Sequence, residues 1–80
     1  MRIDDLRKVH RAQPFRRFVL HLADGRSFCV DHPEFLAHSP TGRTVIVFAE
    51  DDAFEIIDPL LITTIEVPDG QRSKRKRPNG

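Results

Sequence analysis

The stretch "FVLHLADGRSFCV", Phe18 to Val30, constrains this chain more than any other. Phe18, Leu20 and Leu22 alternate with Val19 and His21, and Phe28 and Val30 flank Cys29 in the same rhythm. A period of two is the signature of a strand with one buried face. Ala23, Asp24 and Gly25 lie between the two runs, and Gly25 supplies the positive φ that a tight hairpin demands. Loop length decides the register. A two-residue Asp24-Gly25 loop pairs Leu20 with Cys29 and Leu22 with Ser27. A three-residue Ala23-Asp24-Gly25 loop pairs Leu20 with Phe28 and Phe18 with Val30. The second gathers five apolar side chains on one face and is the expected register. Val19, His21, Ser27 and Cys29 then share the other face.

The remainder reads around this hairpin. Ile3, Leu6 and Val9 recur at a spacing of three, with Asp4 and Asp5 early and Arg7, Lys8, His10 and Arg11 late. That pattern predicts a short helix whose charges suit its dipole, ending before Pro14. Pro33 argues against a central strand, so Phe35 and Leu36 are expected as anchors in a bend, followed by the turn "SPTG". "RTVIVFA" predicts a strand buried on both faces, "EDDA" a turn, "FEII" a short strand, "DPLL" a 3₁₀ step and "ITTIEV" the last strand. A helix and about five closely spaced strands predict a mainly β fold, a small, strongly bent five-stranded barrel of Sm-like or SH3-like type. Eighty residues allow one small core. Residues 1–69 are expected to form that single domain and 70–80 a disordered basic tail.

The helix, the arginine-bearing segment with its proline, the strand "VLHLADG" and the final "ITTIEVP" resemble the Sm-like family, within it the bacterial Hfq-like RNA chaperones. The likeness spans roughly Ile3 to Pro68 in outline. It implies a bent five-stranded barrel that assembles into a ring and binds single-stranded RNA. Where those chaperones carry a Tyr-Lys-His segment before the last strand, this chain reads "FEIIDPL", so the RNA pocket is not carried over. Their arginine-rich rim has counterparts by position in Arg11, Arg16 and Arg17. The opening "QPFRRFVLHLADGRSFCVDHPEF" also resembles that of a group of short bacterial proteins, a likeness that implies no function.

Charge is divided unevenly. The net formal charge is +1, yet residues 1–71 hold eight basic and twelve acidic residues. Arg72, Lys74, Arg75, Lys76 and Arg77 supply the balance. An acidic body with a basic tail points to two surfaces with different partners. The tail, with Arg11, Arg16 and Arg17, is the candidate nucleic-acid contact, since clustered cations bind phosphates without reading sequence. The tail has no aromatic residue on which bases would stack. The competing reading is a protein-interaction or homo-oligomeric assembly module, with strand edges and the acidic "EDDAFEIID" segment meeting partner subunits.

Other chemistries find less support. Cys29 is the single cysteine, which excludes an intramolecular disulfide and suits a reducing, cytoplasmic setting. His21, Cys29 and His32 lack the paired spacing of a zinc site, so no metal or other cofactor is expected. Asp51, Asp52, Glu55 and Asp58 do not match a calcium loop. Neither a nucleophile elbow nor a phosphate loop is present, and no enzymatic activity or small-molecule substrate is expected. No stretch approaches the ~20 apolar residues of a membrane span, and the N-terminus lacks the apolar run of a signal peptide.

Overall fold

The computed structural model describes residues 2–68. Its elements follow in the order α1 (Ile3–His10), β1 (Phe18–Leu22), β2 (Ser27–Val30), a 3₁₀ turn (Pro33–Phe35), β3 (Leu36–His38), β4 (Val45–Phe48), β5 (Phe54–Ile57), a second 3₁₀ turn (Pro59–Leu61) and β6 (Ile62–Glu66). The strands form two antiparallel three-stranded sheets, ordered β2-β1-β6 and β3-β4-β5.

This arrangement overturns the five-stranded barrel. There are six strands among the described residues, in two separate sheets, with no closed barrel. The difference arises at His32–Phe35. Pro33 has no N–H to donate to a ladder. The backbone instead turns through one 3₁₀ step, with the Phe35 N–H on the His32 carbonyl at 3.0 Å. Beyond that step Leu36–His38 is extended and pairs with β4, where the sequence predicts only a bend. The proline turn thus ends the first sheet and hands the chain to the second.

The β1–β2 hairpin takes the three-residue register. Phe18 opposes Val30, Val19 opposes Cys29, Leu20 opposes Phe28, and His21 opposes Ser27. Leu22 receives a bond from the Gly25 N–H at 3.0 Å and donates to the Arg26 carbonyl at 2.9 Å, closing the loop. Gly25 sits at φ 93°, where a Cβ is disfavoured. Asp24 reinforces the turn by accepting from the Arg26 N–H at 3.1 Å and the Arg26 Nε at 2.9 Å.

Across the first sheet, β6 carries an irregularity. Leu22 opposes Ile62 while His21 opposes Thr64, so Thr63 is the extra residue of a bulge, and its hydroxyl donates to the His21 carbonyl at 3.2 Å. Strict alternation would turn Ile62 and Thr64 to the same side. The bulge lets Ile62 and Ile65 both face the core instead.

One apolar cluster joins helix and sheets: Leu6, Phe18, Leu20, Leu22, Val30, Leu36, Val45, Val47, Ile57 and Ile62 are all buried. Ile3, Val9, Phe15, Phe28, Phe35 and Ile65 pack around it. The helix contributes Leu6 at its centre, with Ile3 and Val9 a turn to either side, as their spacing predicts. Its far end is tied down where the His10 Nε2 donates to the Pro33 carbonyl at 2.7 Å. Its near end abuts Gly42, at φ 75° in the turn before β4.

Candidate functional site

Of the cationic candidates, Arg11, Arg16 and Arg17 fall within the described residues, and all three side chains are exposed. Arg11 is the C-cap of α1, its N–H on the Arg7 carbonyl at 2.9 Å. It follows Arg7, Lys8 and His10 in the last turn, where cations complement the helix dipole. Arg16 and Arg17 lie on the extended lead into β1. The Arg16 Nη2 donates to the Pro68 carbonyl at 3.1 Å, joining the start of β1 to the end of β6. Arg17 turns to β2. Its Nε donates to Asp31 Oδ1 at 3.0 Å and its Nη2 to Cys29 Sγ at 3.8 Å. The hydrogen bond that Arg17 donates to Asp31 raises the Arg17 pKa above its ordinary value, against a smaller opposing effect of burial. The charge of Arg17 is thus partly matched, whereas Arg16 is held by a neutral carbonyl. Arg72, Lys74, Arg75, Lys76 and Arg77 lie outside the described residues.

The outer face of the first sheet carries Val19, His21, Ser27 and Cys29, as the register requires. His21 Nε2 is 2.9 Å from Glu66 Oε1 on β6, and Cys29 is exposed. His32 packs edge-on against Phe35, 5.2 Å between ring centroids. His21 and His32 are therefore engaged separately. Among the described residues no group of three or more His, Cys, Asp or Glu side chains is arranged to hold a metal ion.

The acidic segment has local work. Asp51 accepts from the Ala53 N–H at 3.1 Å within the β4–β5 turn, where Asp52 adopts φ 71°. Asp58 accepts from the Leu60 N–H at 3.0 Å and caps the second 3₁₀ turn. Glu55 lies 3.6 Å from the Arg26 guanidinium, which also pairs with Asp24 at 2.9 Å and sits over the Phe28 ring, 5.6 Å from its centroid.

Two open grooves flank the second sheet. One, of about 290 Å³, runs between β2 and the β4–β5 hairpin, with Phe28, Phe48 and Phe54 on its walls. The other, of about 420 Å³, is lined by Ile3, Gly42, Arg43, Asp58, Pro59 and Leu60. The β4–β5 hairpin corrects the expectation of a strand buried on both faces. Val45 and Val47 are buried, but Ile46 is half-buried and Phe48 exposed. Beside them Phe54 is 57% exposed and Ile56 67%. The signal for this surface was the run "VIVF" itself: a chain with one small core has only one face of that strand to bury. Among the described residues, no helix is long and apolar enough to cross a membrane.

Neither a family model, nor a curated protein, nor a solved structure matches this chain.

Proposed function

We propose that this protein is a small non-catalytic binding module that contacts the phosphates of RNA or DNA through Arg72, Lys74, Arg75, Lys76 and Arg77, with Arg16 and, more weakly, Arg17 beside them. The observation that supports this reading is the bond from Arg16 to the Pro68 carbonyl. It sets the last described residue next to the exposed arginines of the β1 lead. Three residues separate Pro68 from Arg72, so four steps along the chain span at most about 14 Å at full extension. Arg16 and Arg17 thus lie at the end of the first sheet that holds Pro68, while Glu50, Asp51 and Asp52 occupy the turn of the second. Arg11, at the end of α1, is the remaining cation assigned to this contact. The recognition is electrostatic and largely indifferent to sequence. The single exposed Cys29 suits a reducing, cytoplasmic setting.

Counterion release provides the test. Six phosphate contacts on single-stranded RNA correspond to a slope of about −4 in log affinity against log salt. Fluorescence anisotropy with labelled RNA and DNA, for the full chain and for a chain ending at Gly70, measures that slope directly. Binding that disappears on truncation supports the tail as the contact. No binding by either form at low salt ends this reading.

A second reading is a protein-interaction module. The exposure of Phe54 and Ile56 on β5 favours it, because contiguous apolar surface on a small domain marks an interaction site.

A further inference from the structure

The β3-β4-β5 sheet has two unlike faces. Its inner face buries Val45, Val47 and Ile57. On the outer face Ile46 opposes Ile56 and Phe48 opposes Phe54, with the two phenyl rings 6.1 Å apart. None of these four carries a charge. Phe48, Phe54 and Ile56 are 37%, 57% and 67% exposed. Together they leave on the order of 300 Å² of apolar surface, comparable to the largest patch on a typical monomer, which is often functional.

The same strand is the edge of its sheet. β5 pairs only with β4, so the outward N–H and C=O groups of Phe54–Ile57 have no strand partner among the described residues. Proline, lysine and bulges, three of the usual protections of an edge, are missing from "FEII". Its one charge, Glu55, is drawn toward Arg26.

We propose that β5 pairs antiparallel with β5 of a second copy of this chain, forming a two-fold dimer with a continuous six-stranded sheet. Opposed residues must share a face, which restricts the register. Centring the axis on Glu55 sets two carboxylates directly opposite, a destabilising pair. Centring it on Ile56 sets Ile56 against its own copy and extends the apolar face across the axis. Charge supports the antiparallel sense. Val45 opposes Ile57, so Arg43 lies at the end of the sheet away from the acidic turn Glu50–Asp52. Antiparallel pairing brings the acidic turn of each copy toward the Arg43 end of the other. A second copy also matches the chemistry of the patch better than the basic tail, whose sequence has no aliphatic or aromatic residue beyond Pro78 with which to cover it.

The size of the patch sets the strength. The three side chains of two copies bury about 600 Å², well under the ~1,200–2,000 Å² of a stable interface. Strand pairing adds to this, and the dimer is expected in the micromolar range. It does not depend on nucleic-acid binding.

Sedimentation equilibrium of the full chain from about 5 to about 500 μM tests it. The expected mass rises from 9.2 kDa toward twice that value. Ile56→Lys, at an exposed position, should leave the circular dichroism spectrum unchanged and weaken association by about 30-fold or more. In a Cys29→Ser background, Ile56→Cys should form a disulfide-linked dimer on oxidation, because paired Cα atoms about 4.5–5.5 Å apart lie within disulfide reach. Ser27→Cys, on the edge of the other sheet, should not. A monomer at every concentration overturns the proposal. So does association that survives Ile56→Lys. So does association that is lost when the five tail cations of the full chain are changed to Gln, since the tail would then be the occupant.

Discussion

Replacing Gly42 by Ala tests how closely the helix is fitted to the second sheet. Gly42 adopts φ 75°, and an added Cβ would lie 2.7 Å from Ile3 Cγ1 and 3.0 Å from Ile3 Cβ and Cγ2. Two costs follow. The left-handed backbone costs a residue with a Cβ about 1–2 kcal/mol. Overpacking against Ile3 adds about 1–3 kcal/mol. Gly25 separates the two, since it sits at φ 93° with nothing within 4 Å of an added Cβ. Gly25→Ala therefore carries the backbone cost alone. Gly42→Ala should be the more destabilising by about 1–3 kcal/mol, at least about 4 °C in Tm for a domain this small. Urea and thermal unfolding followed by circular dichroism measure both variants. Ile3→Ala removes two of the three clashing atoms, so the Gly42→Ala/Ile3→Ala double variant should lose less stability than the sum of the single ones. Equal losses at Gly42 and Gly25, or strict additivity with Ile3→Ala, would refute the close approach of helix and turn.

Leu6→Ala empties the centre of the helix contact and should cost about 2–5 kcal/mol, read by urea unfolding. Asp58→Ala removes the cap on the Leu60 N–H and should cost about 0.5–2 kcal/mol, whereas Asp58→Asn should retain most of the stability. Arg16→Ala should lower the salt slope of RNA binding by about 1 without unfolding the chain. Asp24 bears on acid stability. The Arg26 N–H holds the Asp24 carboxyl below its ordinary pKa, with the Arg26 guanidinium adding to the effect. A depressed folded pKa contributes stability above the unfolded value of about 3.9, lost as pH falls through the folded one. Asp24→Asn should therefore flatten the unfolding curve below about pH 4 and leave the form of the curve above pH 5 unchanged.

Much of the local structure was legible because its causes are local. The spacing of Ile3, Leu6 and Val9 specifies a helix, and the proline in "DPLL" a 3₁₀ step. In the β1–β2 hairpin, the choice between two registers rests on which one aligns Phe18, Leu20, Phe28 and Val30. The Leu36–His38 strand was not legible, because three residues carry too little periodicity and the preceding proline masks them. The bulge at Thr63 was hidden likewise, since it becomes favourable only when Ile62 and Ile65 meet the same core. For the candidate site, the cationic residues were evident as composition. The separate engagement of Arg17 with Asp31 and of Arg16 with Pro68 was not, as each joins residues distant in sequence.

The sequence by itself determined the helix, the first hairpin with its register, and the contrast between an acidic body and a basic end. Those follow from side-chain spacing, from Gly25 and from charge, all of which act over a few residues. Tertiary structure alone decided that β6 returns to pair with β1, that the strands divide into two sheets at Pro33, and which face of "VIVF" is buried. An apolar residue on a strand gains by leaving water on either side of the sheet. Only the rest of the folded chain, by filling one side and leaving the other open, determines which side that is.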